Sequence, residues 1–169
     1  MQLNSLKDVL AGQLEDLYSA EQQLVQALPQ MAGAASSPEL RQAFTDHLEQ
    51  TRHHVHRLEE AFADAGIPRS AEHCKAMEGL IKEGTEIIEA TGDPTAKDAA
   101  LIAAAQRVEH YEIAAYGTAR TLASELGLGD VESTLDDTLG EEADADKLLT
   151  KIATGGMFRS GVNEQAARN

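Results

Sequence analysis

Apolar residues recur along this chain at alternating steps of four and three, the spacing that lines the buried seam of packed helices. One stripe runs Leu10, Leu14, Leu17, Glu21, Leu24, Leu28. A second runs Leu101, Ala105, Val108, Glu112, Ala115, Ala119, Leu122, Leu126, and a third runs Val131, Leu135, Thr138, Glu142, Ala145, Leu149, Ile152. Each stripe is interrupted by one glutamate where the pattern calls for a leucine. A fourth seam, Leu40, Phe44, His47, Thr51, His54, Leu58, Ala61, carries two histidines and a threonine instead. A buried carboxylate must be paired, protonated or bound to a cation, because stripping it of water costs many kcal/mol.

The punctuation between the stripes predicts five helices. Ser5 with Asp8 makes a capping-box-like start for the first, which runs to about Ala35 with a kink expected at Pro29. Ser37-Pro38 opens the second, as a cap followed by Pro at the first helical position, and Gly66 and Pro68 close it. Ser70 is expected to open a shorter third helix that ends near Gly92. Asp93-Pro94 repeats the cap-then-Pro signal for the fourth, which runs to Gly127 or Gly129. Asp130 is expected to cap the last, which stops before Gly155-Gly156. No alternating strand pattern intervenes. Two helical hairpins joined by a crossover with its own helix is the plan of an all-α, ferritin-like four-helix bundle. An up-down bundle with an added helix is the competing plan. The expected division is a bundle over 1–154 and a frayed or partner-dependent tail over 155–169.

Composition narrows the chemistry. The 169 residues suit one domain with a proper core, and Ala and Leu do the filling in a chain with 4% aromatics and no Trp. A net charge of −15 argues against nucleic acid as a partner and for attraction of cations, although ordinary solubility explains the same charge. The single cysteine, Cys74, excludes a thiolate metal cluster and reads as a small apolar filler. No run approaches the ~20 apolar residues of a membrane span. The amino-terminal region carries no signal-peptide pattern, which gives a cytoplasmic expectation.

Carboxylates from several helices together with imidazoles are the donor set of a di-metal bundle site, in which two cations lie about 3.5–4 Å apart. Hard oxygens mixed with imidazole suit Fe(II) or Mn(II). The first helix offers Glu21, the fourth offers Glu112 with Glu109 one turn earlier, and the fifth offers Glu142. Ala145 occupies the position three beyond Glu142, where such bundles place a histidine, and Asp146 is the expected substitute oxygen donor. The second helix offers His47 and then His54, with Glu49 as a weaker candidate. Four of the six histidines lie between His47 and His56, and His53, His56 and His110 are expected to face solvent. One of Tyr18, Tyr111 and Tyr116 is expected to hydrogen-bond a ligand carboxylate. No catalytic residue is assigned.

The stretches DLYSAEQQLVQALPQMA from Asp16, HLEQT from His47, CKAMEGLI from Cys74, DAALIAAAQRVEHYEIAAYGT from Asp98 and LGEEADAD from Leu139 resemble the YciF-like family of bacterial stress proteins. The resemblance reaches to about Ile152, and its most specific part is the block 98–118. It implies a ferritin-like bundle, commonly dimeric, similar in plan to the rubrerythrins. It also implies Glu21, Glu109, Glu112 and Glu142 as the carboxylates of a di-metal centre. The chain departs from the family by having Gln50 where a second glutamate is common and His54 where glutamine is common. The function expected is a stress protein with an iron or manganese centre that handles peroxide or iron, supplied by an external electron donor. The alternative is a non-enzymatic stress protein that acts through assembly or partner binding around a metal-free polar core. DNA protection is a third and weaker reading.

Overall fold

The computed structural model describes residues 3–70, 72–156 and 159–168. Its elements are α1 (Leu6–Ala34), α2 (Pro38–Asp64), α3 (Lys75–Glu89), α4 (Pro94–Glu125), α5 (Gly129–Thr154), β1 (Gly155–Gly156), β2 (Arg159–Ser160) and α6 (Val162–Ala166). Helix α1 packs on α2 and α4 packs on α5, and the two hairpins close against each other through α1–α4 and α2–α5 contacts. Helix α3 lies in the crossover between the hairpins, against α1 and α4. This is the ferritin-like plan with its added helix.

Most of the predicted starts are realised. Ser5 and Asp8 form the full capping box of α1, Ser37 accepts from the Leu40 amide, and Asp93 accepts from the Thr95 and Ala96 amides. Pro29 is exposed on α1, which continues through it to Ala34. Gly66, at φ +58°, ends the α2 segment in the left-handed conformation that glycine adopts without strain.

Two starts differ from expectation. Helix α3 begins at Lys75, not after Ser70, and Cys74 is its N-cap. The reason is tertiary. The Cys74 amide donates to Ser19 Oγ at 2.9 Å and its carbonyl accepts from Gln23 Nε2 at 3.1 Å, so α1 holds the crossover extended up to that residue. Helix α5 begins one residue before Asp130, which lies in the first turn with Glu132 and complements the helix dipole instead of capping it.

The core is divided in two. One apolar cluster includes Leu10, Leu14, Leu17, Leu58, Phe62, Tyr116, Ala119, Val131 and Leu135. The other includes Leu24, Leu28, Leu40, Phe44, Leu101, Ala105, Val108, Leu149 and Ile152. All four long helices pass from one cluster to the other, and their seam residues between the clusters are polar: Glu21 on α1, His47, Thr51 and His54 on α2, Glu109 and Glu112 on α4, and Thr138 and Glu142 on α5. The interrupted stripes therefore stack at one level of the bundle. The described residues after Thr154, in the stretch expected as a tail, include the β1–β2 pair and α6. Helix α6 packs on α4 and α5 and buries Val162 in the second cluster. Gly155 at φ +74° and Gly161 let the backbone fold back on itself, since a Cβ at either would strike main-chain atoms of the other segment.

Candidate metal centre

Each seam glutamate comes inward because the apolar residues a turn or two either side of it on the stripe are inward, and rotating it out would expose them. Glu21, Thr51, His54, Glu112 and Glu142 have no solvent exposure, and Glu109 and His47 are 3% and 6% exposed. Two groups of donor atoms result, each spread over no more than 4.8 Å: His47, Glu109, Glu112 and Glu142 in one, and Glu21, His54 and Glu142 in the other. Glu142 belongs to both.

Within the second group His54 Nδ1 lies 2.9 Å from Glu142 Oε1 and 3.3 Å from Glu21 Oε1, aligned for a hydrogen bond with neither. Its other nitrogen, Nε2, is held by Glu141 Oε2 at 2.7 Å, and Arg57 clamps that carboxylate through Nη1 at 2.7 Å and Nη2 at 3.0 Å. Tyr116 donates to Glu21 Oε1 at 2.5 Å, leaving Oε2 without a partner. In the first group His47 Nε2 is 3.6 Å from Glu109 Oε1 and 3.7 Å from Glu142 Oε2. His47 Nδ1 is 3.3 Å from Gln50 Oε1, and a proton on Nδ1 makes Nε2 the lone-pair nitrogen facing the carboxylates. Thr51 uses its hydroxyl on the His47 carbonyl, closing α2 without competing for the site.

The electrostatics follow from burial. Desolvation pushes the Glu109 and Glu112 carboxyls well above the usual range, with the Glu142 charge adding to both. Desolvation also raises Glu21, against the opposing pull of His54 and Tyr116. Burial works against charge on His54 too, but the Glu142 and Glu21 carboxylates outweigh it and lift the imidazole to about 10. Burial would raise Glu142 as well, yet His54 and His47 hold it below its ordinary value. The Arg57 hydrogen bond depresses Glu141 to about 2.

The donor set fits a pair of divalent cations. Buried side-chain atoms without a hydrogen-bond partner are Glu21 Oε2, His47 Nε2, His54 Nδ1, Glu109 Oε2 and both oxygens of Glu112 and Glu142. Buried polar atoms are rarely left in this state, and such a concentration at one level calls for a ligand. Ligand bonds of about 2.0–2.2 Å separate opposite donors on one ion by about 4.4 Å at most, close to the spread of each group.

The sequence candidates divide accordingly. Glu21, His47, His54, Glu109, Glu112 and Glu142 come together. Asp146 does not join either group: it is a turn beyond Glu142 on the flank of α5, where it accepts from Gln106 Nε2 at 2.9 Å. Glu49 is exposed and paired with Arg52, and His53, His56 and His110 are exposed. Of the three tyrosines, Tyr116 is the one bonded to a ligand carboxylate, while Tyr111 donates to Asp16 and touches Cys74 Sγ. Sequence reading missed Glu141 and Arg57. Both are half-buried shoulder residues outside the seam period, and the available signal was their spacing from His54 and Glu142.

Comparison with known proteins gives a consistent result. Residues 5–167 match the family described as Domain of unknown function (DUF892). Protein YciF of Escherichia coli (strain K12) is 43% identical over 165 residues, covering 97% of this chain and 99% of that protein. The crystal structure of the E. coli stress protein YciF superposes with a TM-score of 0.86 at 45% identity, over 88% of this chain and 94% of that one. YcfI from Rhodopseudomonas palustris also gives 0.86, at 42% identity over 90% and 97% of the two chains. A Xanthomonas campestris protein at 19% identity and a TM-score of 0.69, over 87% and 89%, shares the fold.

Proposed function

The chain belongs to the DUF892 family, and from that premise we propose that it is a stress-response protein whose bundle centre holds two iron or manganese ions and handles peroxide or iron. The observation that carries this reading is the set of buried, unpartnered carboxylate and imidazole atoms converging from α1, α2, α4 and α5. His47, Glu109, Glu112 and Glu142 would hold one ion, and Glu21, His54 and Glu142 the other. Ions of this kind supply one-electron exchange and Lewis-acid polarisation of a bound oxygen ligand.

The chain's own residues prepare the site in definite ways. Glu141 and Arg57 hold His54 so that Nδ1 faces inward, the arrangement in which a carboxylate orients a ligating imidazole from behind. Tyr116 fixes Glu21 by one oxygen and keeps the other free. The two leucine-rich clusters border the layer on either side along the bundle axis. With Cys74 as the single cysteine, turnover draws electrons from an external donor or from a second peroxide molecule. The stress role is carried over from the relative named a stress protein, and a cytoplasmic homodimer is the expected working form.

A second reading has one observation in its favour: His54 stands within ion-pair distance of Glu21 and Glu142 while burial favours the protonated form of Glu109 and Glu112, so a metal-free polar core that acts through assembly or partner binding is physically coherent. Metal content per chain after anaerobic Fe(II) or Mn(II) loading and desalting separates the two. About two ions per chain, lost in Glu142→Ala, supports the metal centre. No retained metal in either protein supports the polar core.

A further inference from the structure

A pocket of about 270 Å³ opens between α2 and α5 and reaches the cluster from the side. Its floor includes His47 and Glu109, both more than nine-tenths buried, with His47 Nε2 and Glu109 Oε2 unpartnered. Its rim carries Asp46 and Asp144, both exposed, and the half-buried Glu141. Between rim and floor the wall is mostly apolar, formed by residues such as Phe44, Ala145 and Leu149, with Gln50 as its polar member.

Ala145 has a specific part in this shape. It lies three residues after Glu142, one turn along the same side of α5, and lines the pocket together with His47 and Glu109. A long side chain there would fill the space that the methyl group leaves open. Pockets on the α1–α3 and α1–α2 faces contain none of the cluster residues.

We propose that the α2–α5 pocket is the port by which a hydrated divalent cation reaches the centre, with Asp46 and Asp144 as its outer carboxylates and His47 and Glu109 as the first inner donors. The inference rests on the metal-centre reading above and deepens it. Carboxylates at the mouth of a low-dielectric channel focus the field and raise the local cation concentration, which speeds capture without changing final affinity. Asp46 and Asp144 carry only exposed local partners, Gln42 and Lys147, so both remain open to a passing ion.

The test is stopped-flow association of Co(II), used as a spectroscopic probe, with the metal-free full-length protein at low and high salt. Ala145→Leu is expected to slow association by roughly tenfold while leaving the final stoichiometry unchanged. Asp46→Asn/Asp144→Asn is expected to slow it by roughly three- to tenfold at low salt and to flatten its salt dependence. Helical circular dichroism checks folding, and the double Asn variant keeps the test alive if Ala145→Leu packs badly. Val25→Phe, on the α1–α2 face, is the control and should bind at the parental rate. Parental rates in both port variants would overturn the port and leave the metal centre standing. Absence of Co(II) binding in the parent would overturn both.

Discussion

His54 Nε2 meets Glu141 Oε2 at 2.7 Å, which commits the outer nitrogen of the imidazole and turns Nδ1 toward Glu21 and Glu142. The pair decides which face of the ring is available inside the bundle. Arg57 holds Glu141 from the other side, so the orientation of a fully buried residue is set by a half-exposed salt bridge.

Glu141→Ala should therefore weaken metal binding about 10- to 100-fold without removing a ligand, because the imidazole loses its orienting partner. Equilibrium titration with Mn(II) reads the change. Glu141→Gln, which keeps an acceptor, should recover part of the loss, and an unchanged affinity in Glu141→Ala would reject the orienting role.

Metal binding should release protons. Burial favours the protonated form of Glu109 and Glu112, and the Glu142 and Glu21 carboxylates lift His54 to about 10, whereas a ligand must give up its proton. Loading at pH 7 in weak buffer with an indicator dye is expected to show about two or three protons released per chain. Proton-neutral binding would contradict the assigned charge states.

The metal-free fold should weaken as pH rises. His54 has a folded value of about 10 against an ordinary 6.5, so its stabilising contribution is complete below about 6.5 and is lost as pH climbs through about 10. Glu109 and Glu112 act in the same direction, since carboxyls raised above 4.5 cost stability once the unfolded chain can ionise freely. Glu141, depressed to about 2, contributes stability above 4.5 that disappears as pH falls through about 2. Thermal melts across this range should show a lower Tm at pH 9–10 than at pH 6, and a smaller alkaline loss with Mn(II) present. A Tm independent of pH between 6 and 10 would count against the buried charge pattern.

Asp98 joins the two hairpins. Its buried carboxylate accepts the Ser36 and Ser37 amides at 2.8 and 2.7 Å, tying the α1–α2 turn to the start of α4. Asp98→Ala should cost about 2 kcal/mol of stability through the loss of charge-assisted bonds. Urea unfolding measures it, and the metal centre, one apolar cluster away, should keep its stoichiometry.

The periodic pattern was enough to predict an all-α, ferritin-like bundle, because leucine and alanine at helical spacing and the Ser5, Ser37 and Asp93 caps act locally. It also singled out Glu21, Glu112 and Glu142, since a carboxylate on a leucine stripe is a local contradiction that any reader of the chain can see. Glu109 was legible one turn before Glu112 on the flank of the same stripe, and the resemblance supported it. What the sequence could not supply was the relation between helices. That Glu142 is shared by two donor groups, that Glu141 and Arg57 stand behind His54, that Asp146 falls outside the cluster, and that Ser19 and Gln23 delay α3 to Lys75 all depend on how one helix is rotated and slid against another. Those offsets are set by side-chain packing in the two apolar clusters, a sum of many small contacts between residues distant in sequence, and no local period records it.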